Sequence, residues 1–189
     1  MIGGGLPSAK FFQDLLEADQ RELRREQRSG CPWCRGRLDR SDYPRKPRGL
    51  PVGLGLDELF GIRFSLCCAR DGCRRRLTPP SVRFLGRRVY VGAVVMLAAT
   101  ASLAVALITY QVARRTIQRW SRWWTQALPG TPFWQVAQAR FAEPVDEAGL
   151  PGSLVARFHG DRETALLGAL RFVAPITTTS ARSSFAMGP

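Results

Sequence analysis

The sequence contains no asparagine and only one histidine, His159, among its 189 residues. Without asparagine the chain has no Asn-X-Ser/Thr acceptor for N-glycosylation. A Ser/His or Cys/His hydrolase needs a histidine base, and His159 is the only candidate. We expect His159 to lie at the surface of the last third of the chain, not to bind a metal, and we predict no enzymatic activity.

The sequence also shows no secretory leader and no P-loop. No charged segment followed by an apolar run stands at the N-terminus, so we expect a cytoplasmic chain with reduced cysteines. Reduced cysteines favour metal binding over disulfide bonds. The glycine-rich stretch at 49–55 is not followed by Gly-Lys-Ser/Thr, which argues against a phosphate-binding loop.

Acidic residues are scarce relative to basic ones before residue 129. Residues 1–88 carry 19 basic and 10 acidic side chains, residues 89–128 carry 4 and 0, and residues 129–189 carry 5 and 5. The positive charge of residues 1–128 predicts a polyanionic partner, either nucleic acid or an anionic membrane surface. Only Lys10 and Lys46 are lysines, which indicates a GC-rich coding bias more than a selection for arginine chemistry.

The five cysteines lie in two groups, CPWC at 31–34 and CCARDGC at 67–73. The first group has C-x2-C spacing, and Cys68 with Cys73 gives C-x4-C. Four thiolates around one ion are typical of a structural zinc site with no open coordination position. The spacing therefore predicts a structural Zn²⁺ ion held by Cys31, Cys34, Cys68 and Cys73.

The choice between Cys67 and Cys68 depends on the alternation of residues 62–68, IRFSLCC. Apolar positions 62, 64 and 66 share a face with Cys68, whereas Arg63 and Ser65 share the other face with Cys67. This alternation predicts a half-buried strand whose inward face carries Cys68. Two alternatives stay open: C-x5-C with Cys67 as the ligand, and five thiols without a metal.

Residues 89–113 carry no charge, and the segment is long enough to cross a bilayer. Arg87-Arg88 and Arg114-Arg115 flank it, but seven of its 25 residues are alanine, which promotes insertion only weakly. One hypothesis is therefore a single-span protein of the inner membrane with a cytoplasmic zinc knuckle.

The competing hypothesis for this segment is a helix-turn-helix that begins at Leu103. In that frame Tyr110 closes the first helix, Val112 lies in the turn, and Ile117 and Trp120 point inward from the second helix. Two positions depart from the usual pattern, Gln111 in place of a turn glycine and the bulky Leu107 at the helix contact. The outward side of the second helix is where such motifs contact bases and phosphates, so the predicted DNA-binding residues are Arg114, Arg115, Gln118, Arg119 and Arg122.

The predicted fold class is α+β and mostly helical, with a short β-hairpin in a zinc ribbon and further helices around it. We place an N-terminal helix in 1–27, with Ser8 as its N-cap, and the zinc ribbon in 28–88. The helix-turn-helix bundle occupies 89–128. A helical appendix follows in 129–189, with helices expected over 132–141 and 153–173, and it ends in a mobile tail from Pro175.

The segments CPWC, CCARDGCRRRLTPPSVRFLGRR and VARRTIQRWSRWW, in this order, resemble the N-terminal region of certain bacterial insertion-sequence transposases. In those proteins a zinc ribbon precedes a helix-turn-helix that ends in a Thr-Val/Ile-x-Arg-Trp signature. The resemblance covers residues 28–128 and is strongest at CRRR, 73–76, and TIQRW, 116–120. It implies that the four cysteines bind zinc and that the second helix binds duplex DNA.

The catalytic domain of those transposases, which holds two metal ions with three carboxylates, has no counterpart here. The acidic residues after position 128 are Glu143, Asp146, Glu147, Asp161 and Glu163, and we expect both close pairs at solvated helix starts. The resulting hypothesis is a non-catalytic, transposase-related DNA-binding protein. Phosphate contacts would come from Arg74, Arg75 and Arg76 of the ribbon, with a second copy of the chain or a transposase as a further partner. A zinc-ribbon adaptor that binds other proteins is the remaining alternative.

Overall fold

The computed structural model describes residues 7–45, 47–50, 55–85, 90–100, 103–110 and 112–178. About 52% of the residues are helical, and the strands form small antiparallel sheets, so the predicted α+β class is confirmed. The helices in the described part are α1 Ala9–Ser29, α2 Gly92–Thr100, α3 Leu103–Tyr110, α4 Arg114–Arg122, α5 Pro132–Ala137, α6 Gly152–Val155 and α7 Arg162–Val173. The strands are β1 Leu38–Arg40, β2 Tyr43–Pro44, β3 Ile62–Arg63, β4 Leu66–Cys68 and β5 Arg76–Leu77.

Helix α1 forms as its sequence pattern predicts. The hydroxyl of Ser8 accepts a hydrogen bond from the amide of Phe11 at 3.1 Å, which satisfies one of the free amides at the helix start. The apolar stripe of α1 is buried, and its members are Phe11, Phe12, Leu15, Leu16 and Leu23.

The ribbon is more elaborate than the predicted hairpin. Strands β1, β4 and β5 form one antiparallel sheet in that order, and β2 pairs with β3 in a second sheet. The prediction of a single half-buried strand over 62–68 is wrong, because this segment divides into β3 and β4 and its polar face is buried. Arg63 donates to the carbonyl of Pro79 at 2.6 Å, and the amide of Ser65 donates to Asp42 at 2.9 Å.

A buried ion pair joins α1 to the segment that follows the ribbon. Asp19 and Arg83 are 2% and 0% exposed, and Arg83 Nε lies 2.8 Å from Asp19 Oδ2. The same carboxylate accepts the hydroxyl of Ser81 at 2.5 Å and the amide of Val82 at 2.7 Å. Both charges are therefore paired and hydrogen-bonded, as burial requires.

The guanidinium of Arg83 also fixes the chain around β3. It donates to the carbonyls of Leu59 at 2.8 Å, Phe60 at 3.0 Å and Ile62 at 2.9 Å. Its Cζ atom lies 4.4 Å from the ring centre of Phe64, within the range of a cation–π contact. The side chain of Arg83 thus holds the segment from Leu59 to Ile62 against α1.

Helices α2, α3 and α4 pack on one another in the region where the helix-turn-helix was predicted. Tyr110, Val112, Ile117 and Trp120 are buried, as that frame requires, and Trp120 meets Tyr90 edge-to-face at 4.9 Å. Gln111 lies outside the described residues. One position differs from the frame: Leu107 is 37% exposed, whereas Ala106 is fully buried. An alanine at the helix contact allows closer approach than a leucine does.

The described residues of the uncharged segment include two helices, α2 and α3, of nine and eight residues. The three tryptophans after the segment are buried, Trp120, Trp123 and Trp124. Nowhere in the described ranges does a helix combine the length and the apolar character needed to cross a membrane.

The C-terminal helices pack back onto the N-terminal part. Glu163, in the first turn of α7, accepts the amide of Ser8 at 2.5 Å and its hydroxyl at 2.9 Å. Asp161 caps α7 through the amide of Thr164, so these two carboxylates lie at a helix start as predicted. The other close pair does not, because Asp146 and Glu147 lie in the turn before α6, where Glu147 accepts the indole N–H of Trp134 at 2.7 Å.

The predicted division into four units stays a prediction. Buried side chains from all four segments join one apolar core. Thr177, within the predicted tail, is buried and accepts the amide of Ser81 at 2.9 Å. The tail beyond residue 178 lies outside the described residues.

We predict that the Asp19–Arg83 pair dominates the stability of this core. Asp19→Ala leaves a buried guanidinium without its counter-charge, which should lower the free energy of unfolding by about 3–5 kcal/mol in urea titrations followed by circular dichroism. The matched control is Asp14→Ala, which removes an exposed partner of Lys10 and should cost less than about 1 kcal/mol. Equal losses in the two variants would contradict the prediction.

Candidate metal centre and basic surface

The first cysteine pair lies in a tight turn directly after α1. The amide of Cys31 donates to the carbonyl of Gly36 at 2.9 Å, and the amide of Arg35 donates to the carbonyl of Cys31 at 2.7 Å. Arg35 adopts a φ of 60°, a left-handed conformation uncommon for residues other than glycine. This turn directs the thiols of Cys31 and Cys34 to the same side.

The second pair lies in a related turn that begins at the end of β4. The amide of Cys73 donates to the carbonyl of Arg70 at 3.1 Å, and the amide of Cys68 donates to the carbonyl of Arg75 at 3.0 Å. Arg74, like Arg35, follows the second cysteine of its turn and has a positive φ, here 45°. We name these two similar turns the first knuckle, residues 31–36, and the second knuckle, residues 68–75; the paired strands β1 and β4 connect them.

The two knuckles bring four sulfur atoms together, and we name this group the four-cysteine cluster: Cys31, Cys34, Cys68 and Cys73. All four Sγ atoms lie within 4.8 Å of one another. The distance is 3.7 Å between the sulfurs of Cys31 and Cys73 and 3.4 Å between those of Cys34 and Cys68. Tetrahedral zinc with Zn–S bonds of about 2.3 Å separates its sulfurs by about 3.8 Å. The donor set and its spacing therefore fit a zinc ion.

Backbone amides point at three of these sulfurs. The amide of Gly36 hydrogen-bonds Cys34 and lowers the pKa of that thiol to about 7. The amide of Arg70 likewise favours the thiolate of Cys68, but burial and the neighbouring thiols raise the pKa of Cys68 to about 12. Four thiolates at such distances repel one another, so their joint ionisation needs a cation in their midst.

Gly36 lies where a side chain would crowd the cluster. A Cβ atom at this position would lie 3.3 Å from the sulfurs of both Cys34 and Cys68 and 3.2 Å from the Cβ atom of Arg70. Sequence reasoning did not assign a role to Gly36. The signal was available, because a glycine two residues after the second cysteine allows its backbone to approach the sulfurs.

Cys67 stands apart from the cluster. It pairs with Asp39 across the sheet, and its sulfur lies 3.5 Å from the carbonyl of Arg74. Cys68, on the opposite face of β4, is fully buried among the other sulfurs. The structure thus groups Cys68 with the C-x2-C pair, as the strand-face argument predicted, although the polar face of that strand was placed wrongly.

The ribbon surface next to the cluster is basic. Arg74, Arg75 and Arg76 are exposed, as a phosphate-contacting role requires. Arg76 donates to the hydroxyl of Ser41 at 2.9 Å, and the Cζ atom of Arg75 lies 5.3 Å from the ring centre of Trp33. Sequence reasoning gave Trp33 no role.

The outward face of α4 carries most of the predicted DNA-binding residues. Arg114, Arg115, Gln118 and Arg122 are exposed. Arg119 is only half-exposed, and its Nε atom is buried without a hydrogen bond to any described residue. The structure therefore brings four of these five side chains onto an accessible surface and turns the fifth partly toward the protein.

Comparison with protein-family models, with curated proteins and with solved structures gives no match for this chain. The resemblance to the N-terminal region of insertion-sequence transposases therefore remains an expectation that rests on the cysteine spacing and on the TIQRW motif.

Proposed function

We propose that this chain is a non-catalytic DNA-binding protein whose ribbon is held together by a structural zinc ion. The observation that carries the proposal is the approach of four sulfurs to within 4.8 Å beside an exposed run of three arginines. A site closed by four thiolates offers no position for substrate, so the ion would serve the fold and the basic surface it supports.

Helix α4 is the proposed duplex-reading element. Buried Ile117 and Trp120 anchor it from behind, while Arg114, Arg115 and Gln118 project from its first turns. The surrounding segment 89–128 contains no acidic residue to oppose a phosphate backbone. The major groove of B-DNA is about 12 Å wide and admits one α-helix. The exposed start of α4 carries arginines, which can donate two hydrogen bonds to guanine, and Gln118, which can donate one to adenine and accept one from it.

A protein partner is a second proposal, supported by apolar exposure on α3. Ile108 is 79% exposed and Leu107 is 37% exposed, next to the helix that would contact DNA. A second copy of the chain or a transposase would cover these side chains. In the adaptor alternative, the chain would bind a protein partner and would have no affinity for nucleic acid.

We predict one zinc ion per chain and a different response from each of two adjacent cysteines. Cys68→Ser should abolish zinc binding and unfold the ribbon, because metal binding supplies folding free energy in such small units. Cys67→Ser should keep the full zinc content. Elemental analysis of the purified variants, with far-ultraviolet circular dichroism, measures both properties. Zinc loss in Cys67→Ser with retention in Cys68→Ser would contradict the assignment.

We predict distinct effects for arginines on α4 and on the ribbon. Arg115→Ala should weaken binding to a preferred duplex by about 1–3 kcal/mol and relax its sequence preference. Arg74→Gln should weaken all duplexes alike and lower the salt slope by about one. The measurement is fluorescence anisotropy on selected and random duplexes over a salt series.

The adaptor alternative is the outcome of that series if the chain binds no duplex at any salt concentration while it keeps its zinc and its helical signal; duplex binding that neither substitution changes would contradict the assigned arginines. The matched control is Arg171→Ala, which removes an exposed arginine of α7 and should leave duplex affinity unchanged.

A further inference from the structure

Trp33 is the only exposed tryptophan in the described part of the chain. It is 46% exposed, whereas the other four are at most 6% exposed. It lies between Cys31 and Cys34, at the tip of the first knuckle, where it adds little to the core. An indole held in solvent at the rim of a basic surface is a feature that structural zinc binding leaves unexplained.

Arg75 stacks against this indole from the second knuckle, with 5.3 Å between its Cζ atom and the ring centre. The backbone of Arg75 is held at both ends: its amide hydrogen-bonds the sulfur of Cys73, and its carbonyl accepts the amide of Cys68 at 3.0 Å. The pair, which we name the Trp33–Arg75 platform, therefore assembles only when the two knuckles are held together.

The surroundings of the platform are positively charged. Arg35, Arg70 and Arg74 are exposed on the two knuckles, and Arg70 crosses between them to donate to the carbonyl of Cys34 at 3.4 Å. Asp71 is the acidic residue at the tip of the second knuckle. An exposed indole with arginines on both knuckles matches a ligand that combines a flat ring with an anionic backbone.

We propose that the Trp33–Arg75 platform binds single-stranded nucleic acid, with an unpaired base stacked on the indole and the phosphates held by the knuckle arginines. This inference rests on the proposed nucleic-acid function and adds a second ligand to it: the platform binds an unpaired strand, whereas α4 and the ribbon arginines contact duplex. Paired bases inside a duplex offer no free face, whereas every unpaired base can stack on an aromatic side chain. An acidic polypeptide would satisfy the arginines but would leave the indole without a partner.

The test uses the zinc-loaded full chain with oligothymidylate and oligouridylate of about 12 nucleotides, within the usual range of site sizes. Trp33→Leu should weaken binding of both single strands by about 5- to 150-fold and leave duplex affinity unchanged. Trp33→Phe, which keeps an aromatic face, should retain most of the affinity. Arg171→Ala serves as the charge control and zinc content as the fold control.

Fluorescence gives an independent readout, because the four buried tryptophans are shielded from a bound base. The exposed Trp33 should give a red-shifted emission, which Trp33→Leu should remove. Oligothymidylate should quench this emission, and polyglutamate should not. Unchanged single-strand affinity in Trp33→Leu, or equal quenching by polyglutamate, would overturn the inference.

Failure of the duplex proposal has a separate signature in the same experiment. Single-strand binding that depends on Trp33, without any duplex binding that depends on Arg115, would refute the role of α4 and keep the platform. Duplex binding that depends on Arg115, with single-strand affinity independent of Trp33, would refute the platform and keep α4.

Discussion

The buried pair of Asp19 and Arg83 is the constraint on which the rest of this structure depends. Removal of two charges from water costs several kcal/mol per ion in real proteins. That cost is offset by the ion pair itself and by hydrogen bonds from Ser81 and Val82 to Asp19 and from Arg83 to three backbone carbonyls. The pair fixes α1 against the segment from Leu59 to Ile62, and α1 in turn ends beside Cys31. The buried ion pair thus sets where the first knuckle lies relative to the sheet that carries the second knuckle.

Charge repulsion and backbone geometry shape the four-cysteine cluster in opposite directions. Two turns with left-handed residues, Arg35 and Arg74, bring four thiols together. Burial and the neighbouring thiols then raise the pKa of Cys68 to about 12, despite a backbone amide that favours its thiolate. A divalent cation would resolve this conflict, since its charge favours all four thiolates at once. The same cation would hold Trp33 and Arg75 together across the two knuckles, so a bound metal and the exposed surface would depend on each other.

Arginine has three different physical roles in this chain, so the net charge overstates the positive charge that is free to bind a partner. Arg83 and Arg63 are buried and hold carbonyl oxygens, and burial lowers the pKa of Arg63 to about 10, so it stays charged at neutral pH. Arg75 lies against an indole, and Arg115 projects freely from α4. Part of the excess of +13 is therefore structural, whereas the exposed arginines of the ribbon and of α4 are accessible to a polyanion.

The sequence by itself determined the local features: the apolar stripe and Ser8 cap of α1, the thiol spacing, and the inward Ile117 and Trp120, because each follows from a period or a cap within one element. The prediction that Arg63 and Ser65 lie on an exposed face is wrong. Strand alternation assumes that one face is exposed to solvent, whereas in the structure Asp42 and Pro79 cover that face. Only the tertiary structure decided that Asp19 meets Arg83, that Trp33 meets Arg75 and that Gly36 lies against the sulfur of Cys68. These contacts join residues 32 to 64 positions apart, and no local period encodes the free energy of such long-range packing.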